Sequence, residues 1–178
     1  GITHVIRGTE YLSSTPKYNL MYDAFGWQRP VYIHLPPIMK DAQHKLSKRN
    51  GDASYEDFVN KGFVKEAIVN YIALLGWSPK DNTEKMSLSE LVENFSLDGI
   101  GKSPAIFDEV KMRWLSGEYI KEMSDEEFVK RADPFLKKSK VYGKYDLLKI
   151  ANLLKTRIET FEEIPAKVDF LEEFGDYD

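Results

Sequence analysis

Residues Lys45 to Arg49 place three cationic side chains and one hydroxyl within five positions, and Gly51 and Asp52 follow closely. Lysine, arginine and serine side chains bind phosphate oxygens through charge and hydrogen bonding. Short basic runs are also common in solvated loops. The run alone therefore leaves two interpretations open, an ordinary surface loop and a phosphate-binding loop.

Metal and thiol chemistry find little support in the sequence. Cysteine is absent, which excludes disulfides and thiolate ligands and weakly favours a reducing interior compartment. The histidines His4, His34 and His44 stand in different sequence contexts and do not form a ligand cluster. We therefore expect no protein-bound metal.

Length, composition and charge set broader limits. The 178 residues suffice for one core or two small domains, and 42% hydrophobic and 30% charged residues are typical of a soluble globular protein. No apolar run approaches a membrane span and no signal-peptide pattern is present, so we expect a cytoplasmic protein without membrane contact. The first fifty residues carry +4 and the remainder −8, which gives the net −4 of the chain. A basic segment on an acidic chain permits a local polyanion site, although uneven charge without function fits equally well.

The N-terminal third predicts a strand, a helix and a second strand. Pro30–Leu35 is rich in β-branched and aromatic residues and leads into a proline-containing loop. Before it, Thr15-Pro16 predicts a helix start and Gly26 a helix end. Strand, helix, strand and basic loop are typical of the last part of a nucleotide-binding α/β layer, reduced here to a βαβ remnant.

From Ser54 onward the sequence predicts helices. A serine stands three residues before an acid at three helix starts, which predicts capping boxes at Ser54–Asp57 and Ser87–Glu90 and a further helix start at Ser124 with Glu127. Further helices are predicted from Ser103-Pro104 to Gly117 and from about Tyr145 to Phe161, ending before Pro165.

The apolar side chains of all these helices are expected to form core. They include Leu20 and Phe25 near the N-terminus, and Ile68, Ile72, Val92, Val110, Trp114, Leu147, Ile150, Leu154 and Ile158 further on. This pattern predicts an antiparallel helical bundle, with Gly99–Lys102 as a hinge between two helical groups.

Ordered sequence segments carry a resemblance to a known family. They are RGTEYLSSTPK at Arg7–Lys17, HLPPI at His34–Ile38 with KLSKR at Lys45–Arg49, the stretch from Phe58 to Trp77, and the stretch from Phe107 to Ile120. Together they resemble the glutamyl-tRNA synthetases of bacterial type, which are class I aminoacyl-tRNA synthetases. The resemblance extends over most of residues 3–123, and it identifies Lys45–Arg49 with the family's KMSKS loop, with Leu46 and Arg49 at variable positions.

The resemblance implies that this loop binds ATP. In adenylation, the α-phosphate of ATP is attacked and pyrophosphate leaves, so Lys45 and Lys48 would stabilise negative charge that grows in the transition state. Ser47 would bind a phosphate or shape the turn. Pro37 and Ile38 match positions that line the adenine pocket. ATP with its Mg²⁺ is the implied cofactor.

The resemblance also assigns the other substrates. Arg7 matches the position whose guanidinium faces the amino-acid pocket, where a fork of donors suits a carboxylate of glutamate. Glu10 and Tyr11 match positions near the terminal adenosine of tRNA(Glu). The family more often has histidine or tryptophan where this chain has Tyr11. The implied partners are tRNA(Glu), ATP and L-glutamate, and we expect a monomer.

The chain contains no His-x-Gly-His signature, so it is expected to be a piece of a synthetase that cannot adenylate glutamate alone. We expect a mainly α fold in three parts: residues 1–53 as the end of a Rossmann-like catalytic domain, 54–102 as a helical stem-contact region, and 103–178 as the first part of an anticodon-binding bundle.

Other interpretations stay open. One is a non-catalytic tRNA-binding module that kept the loop. A second is the short paralogue that glutamylates a modified tRNA base, against which the helices after Lys111 count. Glutaminyl-tRNA synthetase is a near relative, but its anticodon region is rich in β-structure.

Overall fold

The computed structural model describes residues 1–46 and 54–172. Four short strands are present in these ranges: β1 His4–Gly8, β2 Val31–Leu35, β3 Ile38–Met39 and β4 Ala105–Ile106. Eight α-helices accompany them: α1 Thr15–Ala24, α2 Tyr55–Asn60, α3 Lys65–Leu74, α4 Leu88–Asn94, α5 Glu109–Glu122, α6 Asp125–Leu136, α7 Leu147–Leu154 and α8 Ile164–Val168. Short 3₁₀ turns complete the described residues at Thr9–Ser14, Leu97–Gly99, Phe161–Glu163 and Asp169–Leu171.

Contacts between Cα atoms divide the chain into two units. The strand unit comprises Gly1–Asp52, Ala73–Thr83 and Asn94–Phe107. The helical unit comprises Ala53–Ile72, Glu84–Glu93 and Asp108–Asp178. None of the helices in the described ranges is long and apolar enough to cross a membrane.

The strand unit contains the predicted βαβ remnant. Strands β1 and β2 pair in parallel, with Arg7 opposite His34 and Gly8 opposite Leu35. The connecting helix α1 begins at Thr15-Pro16, and Gly26 after it has a φ of +67°, a conformation that glycine adopts readily. The prediction of strand, helix and strand is confirmed.

Strand β4 corrects one prediction in this unit. The residues after Ser103-Pro104 do not begin a helix, because Ala105 and Ile106 pair in parallel with β3 and the amide of Phe107 donates to the Met39 carbonyl. The Gly99–Lys102 segment, predicted as a hinge, lies in the same unit, where Gly101 donates to the Gly76 carbonyl at 2.9 Å.

In the helical unit, helix α5 begins later than predicted and continues past Gly117. The carboxylate of Asp108 caps it by accepting from the Lys111 amide at 3.1 Å. Gly117 is not a stop. Helix α5 passes through this position, where a Cβ would meet Cγ of Glu159 at an ordinary van der Waals distance of 3.4 Å.

The predicted capping boxes at Ser54 and Ser87 are confirmed, and the helix start predicted at Ser124 is confirmed as an N-cap. Ser54 and Asp57 exchange both bonds, Ser87 and Glu90 do the same, and the Ser124 hydroxyl accepts from the Glu127 amide. The core of the unit is built from the inward faces of these helices and includes Ile68, Met112, Leu115, Ile120, Phe128, Leu136, Leu154, Ile164 and Val168.

The last predicted helix is wrong in extent. The helix runs only from Leu147 to Leu154, and the carboxylate of Asp146 caps its start. Further on, Thr160 and Glu163 form a capping box that starts the separate 3₁₀ turn Phe161–Glu163. Pro165 lies in the first turn of α8, a position where proline is tolerated. Ile158 and Phe161 are buried as predicted, although they lie outside an α-helix.

Several side chains predicted to be core are exposed. Leu20 and Phe25 on and after α1 are 69% and 61% exposed, and Val110 on α5 is 76% exposed. Ile72, Val92 and Trp114 are exposed as well. Helical spacing predicted an apolar face in each case, but no described element covers these positions.

Candidate functional site

The candidate site is centred on Arg7, near the carboxyl end of β1. Nη2 of Arg7 donates to the hydroxyl of Thr15 at 2.8 Å. The same hydroxyl donates to the Tyr11 carbonyl at 2.9 Å and lies 3.3 Å from Nε2 of His34. Because Thr15 Oγ1 uses its proton on Tyr11, it accepts from Arg7, and the guanidinium is held from one edge.

Three tyrosine rings surround the same guanidinium. Cζ of Arg7 lies 5.2 Å from the ring centroid of Tyr11, 5.6 Å from that of Tyr18 and 5.2 Å from that of Tyr32. Contacts of this kind attract a cation through the ring quadrupole and restrict where the guanidinium can move. Strand β1, the turn after it, helix α1 and strand β2 each contribute one side of this enclosure.

Arg7 has no carboxylate partner among the described residues, whereas Arg29, Arg113 and Arg131 each pair with at least one. Its Nε atom is buried and has no hydrogen-bond partner in the described part of the chain. A half-buried cation with unused donors is costly unless an anion reaches it. The planar fork of donors suits a carboxylate.

The predicted tRNA-contacting residues lie next to Arg7. The carboxylate of Glu10 folds over Gly8, so that a Cβ on Gly8 would lie only 2.1 Å from Oε2 of Glu10. Tyr11 is 47% exposed and its ring is in contact with Arg7. The structure therefore brings Arg7, Glu10 and Tyr11 into one neighbourhood, on one strand and the turn that follows it.

A second group of predicted residues lies in the segment from Pro37 to Leu46. Pro37 lies in the two-residue connection between β2 and β3, Ile38 is the first residue of β3, and both are partly buried. Lys45 is exposed and pairs with Met39 in an isolated antiparallel bridge, and the Leu46 amide donates to the Ile38 carbonyl at 3.0 Å. Lys45 is thus attached to the segment that carries Ile38.

Asp41 organises the turn of this segment. Its carboxylate accepts from the amides of Gln43 and His44 at 2.8 and 2.9 Å, and it lies 2.9 Å from Nδ1 of His44. The hydrogen bond from Gln43, followed by those from His44, lowers the pKa of Asp41 to about 2. The turn before Lys45 is therefore fixed by an ionised aspartate at neutral pH.

Ser47 and Lys48, predicted to bind ATP, lie outside the described residues, as does Arg49. Within the described ranges, no hydrogen bond or ring contact joins Lys45 to the group around Arg7. No group of three or more His, Cys, Asp or Glu side chains in these ranges could hold a metal ion.

The sequence interpretation missed the residues that hold Arg7. Thr15, Tyr18, Tyr32 and His34 had no assigned role, although a register of Arg7 against His34 in a parallel pair would have placed them together.

Three comparisons with known proteins agree in outcome. Residues 1–114 match a family model described as the catalytic domain of class I tRNA synthetases for E and Q. The chain is 59% identical over 177 residues to the glutamate–tRNA ligase of Clostridium kluyveri, covering 99% of the chain and 36% of that protein. It is 54% identical over 178 residues to the enzyme of Clostridium acetobutylicum, covering 100% of the chain and 37% of that protein.

Solved structures give the same result. A glutamate tRNA ligase from Elizabethkingia meningosepticum, crystallised in complex with its amino acid, matches with a TM-score of 0.84 at 32% identity, over 99% of this chain and 39% of that one. A glutamate–tRNA synthetase from Elizabethkingia anophelis matches with a TM-score of 0.82 at 32% identity, over 99% of this chain and 40% of that one. The chain thus spans a little over a third of the length of the two clostridial relatives.

Proposed function

Because the chain belongs to the family of class I glutamyl- and glutaminyl-tRNA synthetases, we propose that it forms part of a glutamate–tRNA ligase. Such an enzyme activates L-glutamate with ATP to glutamyl-adenylate and transfers the glutamyl group to the 3′ end of tRNA(Glu). The observation that carries the proposal is the Arg7 guanidinium, held by Thr15 on one edge and lacking a carboxylate partner among the described residues.

Arg7 is proposed to bind a carboxylate of glutamate. Recognition of a carboxylate by arginine depends on two parallel donors in a fixed plane. Thr15 occupies only one donor of Nη2, and no other described hydrogen bond uses the guanidinium, so the remaining donors are proposed to bind the ligand. Tyr18 and Tyr32 would support this geometry without touching the carboxylate themselves.

Pro37, Ile38, Lys45, Ser47 and Lys48 are proposed to bind ATP. Pro37 and Ile38 would pack against the adenine, and Ser47 would bind a phosphate. Lys45 and Lys48 would stabilise the charge on the departing pyrophosphate, with Mg²⁺ bound to the nucleotide. Lys45 is attached to the segment that carries Ile38. This attachment supports the proposal that the adenine-binding residues and the phosphate-binding residues act on the same nucleotide.

Glu10 and Tyr11 are proposed to contact the terminal adenosine of tRNA(Glu). Their position beside Arg7 supports this, because the acceptor end must meet the activated amino acid. The division into residues 1–53, 54–102 and 103–178, a monomeric state and a cytoplasmic location belong to the same proposal. No described feature favours a non-catalytic tRNA-binding module.

A chimera tests the proposal. The matching third of the Clostridium kluyveri enzyme is replaced by this chain, and charging of tRNA(Glu) with labelled glutamate is measured. We expect glutamate charging within about tenfold of the parent enzyme, because this is a 59% identical replacement, and at least a hundredfold preference over glutamine, since a site built to pair a charged group rejects its neutral analogue strongly.

The Arg7→Ala form of the chimera is the control for the site. It should lose charging while keeping the far-ultraviolet circular dichroism of the chimera. A folded chimera that does not charge tRNA(Glu), or that charges glutamine as well as glutamate, would contradict the proposal.

A further inference from the structure

His34 lies opposite Arg7 in the parallel pair of β1 and β2. Side chains at paired positions of two neighbouring strands project to the same face of a sheet. The His34 side chain is partly buried, and its Nε2 lies 3.3 Å from Oγ1 of Thr15. No other hydrogen bond to this ring is found within residues 1–46 and 54–172. The imidazole therefore faces the hydroxyl that holds Arg7.

The hydrogen bonds of Thr15 decide which nitrogen of His34 carries a hydrogen. The Thr15 hydroxyl donates its single proton to the Tyr11 carbonyl at 2.9 Å, a shorter contact than the 3.3 Å to His34. Two lone pairs remain on Oγ1, and Nη2 of Arg7 donates to one of them at 2.8 Å. A bare Nε2 would set its lone pair against the other. Nε2 of His34 therefore carries a hydrogen and donates it to Thr15.

A tyrosine packs against the plane of the His34 ring. The planes of Tyr32 and His34 differ by 14°, and their centroids are 6.3 Å apart. The centroid of Tyr32 also lies 5.2 Å from Cζ of Arg7. The two rings come from alternate positions of β2, so they project to the same face of the sheet. His34 thus links the hydroxyl that accepts from Arg7 to a ring that packs near the same guanidinium.

We propose that His34, with its hydrogen on Nε2, positions the guanidinium of Arg7 through Thr15 and thereby sets the preference for glutamate over glutamine. The inference rests on the proposed function, in which Arg7 binds a carboxylate of glutamate. His34 is a positioning residue, since it acts on the substrate only through Thr15 and Arg7.

The chemistry of the two amino acids explains why the direction of the fork matters. A carboxylate accepts from both arms of a fixed guanidinium, whereas the amide of glutamine presents its own donors to one of them. A guanidinium that is free to turn offers a single donor to the amide oxygen and discriminates less. A hydrogen bond that fixes the Thr15 oxygen therefore contributes to specificity without contacting the substrate.

The position of the hydrogen is tested on the 178-residue chain with ¹⁵N-labelled histidines. Long-range proton–nitrogen correlation spectra show which ring nitrogen carries hydrogen, and they are recorded at about pH 8, where imidazole is ordinarily neutral. His34 should carry it on Nε2. His44 is an internal contrast, because its Nδ1 lies 2.9 Å from the Asp41 carboxylate and should carry the hydrogen instead. A bare Nε2 on His34 overturns the proposal.

The effect on Arg7 is measured in the same chain through its Nε–H resonance. His34→Leu removes the donor to Thr15, so this resonance should shift. His4→Leu is the matched control, because it removes another histidine of β1, whose Nδ1 lies 3.0 Å from the Thr3 hydroxyl. That variant should leave the Arg7 resonance in place. An Arg7 resonance that does not move in His34→Leu, or that moves equally in both variants, overturns the proposal.

Kinetics of the chimera test the consequence for specificity. His34→Leu should raise KM for glutamate about three- to tenfold, as expected for one neutral hydrogen bond, and should change kcat less than about twofold. The preference for glutamate over glutamine should fall by a similar factor. His34→Gln places an amide donor near the position of Nε2 and should restore both quantities to within about twofold. Equal losses in the two variants, or an unchanged preference in His34→Leu, overturn the proposal.

A double-mutant cycle tests the route through Thr15. Thr15→Val already removes the acceptor, so adding His34→Leu should raise KM for glutamate by less than about a further twofold. Additive effects overturn the proposal. An inactive chimera rejects the proposed function, while the spectra of the chain still decide whether His34 holds Arg7. An active chimera that prefers glutamate equally with and without His34 rejects the inference alone.

Discussion

Thr15 connects three groups through one hydroxyl. It accepts from Arg7, donates to the Tyr11 carbonyl and lies within hydrogen-bonding distance of His34. An arginine side chain has several rotatable bonds, so its guanidinium needs such fixed neighbours to keep one orientation. Thr15 is therefore a positioning residue for the proposed carboxylate site.

Removal of this hydroxyl should weaken the use of glutamate. In the chimera, Thr15→Val leaves Nη2 of Arg7 without its acceptor, and a hydrogen bond to a charged group is worth about 1.5–3 kcal/mol. We expect kcat/KM for glutamate to fall by one to two decades, mainly through KM, with KM for ATP unchanged.

Two variants control this measurement. Thr15→Ser restores the hydroxyl and should restore most of the activity. Ser14→Ala removes a hydroxyl that donates to the same Tyr11 carbonyl but does not contact Arg7, so glutamate kinetics should stay as they are. If Ser14→Ala and Thr15→Val lowered kcat/KM for glutamate equally, loss of the hydrogen bond to Arg7 would not explain the decrease.

Lys48 carries a prediction that rests on sequence, since it lies outside the described residues. If it stabilises the leaving pyrophosphate, Lys48→Ala in the chimera should slow adenylation far more than it weakens ATP binding. Loss of one such donor costs about 3–4 kcal/mol, or roughly two to three decades in rate. Single-turnover kinetics separate the two steps, and an unchanged rate would contradict the role.

At the scale of elements, the turn before Lys45 depends on one carboxylate. Asp41 accepts two backbone amides in the turn, and its pKa is lowered to about 2 from an ordinary 3.8. A depressed pKa in the folded state means that the ionised form contributes stability above pH 3.8 and that this contribution is lost as pH falls through about 2.

We therefore expect the turn to keep its structure at pH 4 and to loosen only towards pH 2. An NMR titration of the Asp41 side-chain carbon should give a midpoint near 2, and the amides of Gln43 and His44 should shift with it. A midpoint near 3.8 would show that the amides do not hold the carboxylate. Asp41→Asn should shift the same two amides at pH 7 and leave those of α7 unchanged.

Gly62 and Gly143 form a matched pair in the helical unit. Both have positive φ, +78° and +77°, but a Cβ on Gly62 would lie 2.6 Å from the Glu162 amide nitrogen, whereas nothing lies within 4 Å of one on Gly143. Gly143→Ala should cost about 1 kcal/mol through backbone strain alone, and Gly62→Ala about 3 kcal/mol or more. Urea denaturation measures both, and equal costs would contradict the close approach.

Local signals were enough to predict much of this fold. Capping boxes at Ser54 and Ser87 depend on residues three positions apart, so the sequence contains the whole interaction. Strand β4 could not be predicted in this way, because its two residues are stabilised by pairing with β3, far earlier in the chain. The Arg7 site shows the same limit, since Arg7 was identified but its contacts with His34 and Tyr32 depend on strand register.

At the scale of the whole molecule, the described part of the nucleotide fold is small. Strands β1 and β2 form a two-stranded sheet, and Leu20, Phe25 and Trp27 beside it are more than half exposed. Two strands alone are marginally stable in water. This chain matches only 36% of the Clostridium kluyveri enzyme, so we expect the proposed reaction to use the remaining part of such an enzyme as well.

The 178-residue chain by itself should therefore not catalyse glutamate-dependent exchange between ATP and pyrophosphate in the presence of tRNA(Glu). Stabilisation of the transition state needs both sides of a nucleotide site held in register. Exchange above the rate without glutamate would contradict this expectation and would place a complete adenylation site within the chain.

The same exchange measured on the chimera tests the central claim, that this chain supplies the glutamate and ATP contacts of a glutamate–tRNA ligase. With tRNA(Glu) present, the chimera should exchange within about tenfold of the parent enzyme, and Arg7→Ala should reduce glutamate-dependent exchange by roughly two decades or more, as expected when a charged recognition group is lost. Arg7→Lys keeps the positive charge but loses the planar fork of donors, so its exchange rate should lie between that of the chimera and that of the Arg7→Ala form. Exchange at the parent rate in Arg7→Ala would show that Arg7 does not bind the amino acid, and no exchange in a folded chimera would contradict the account.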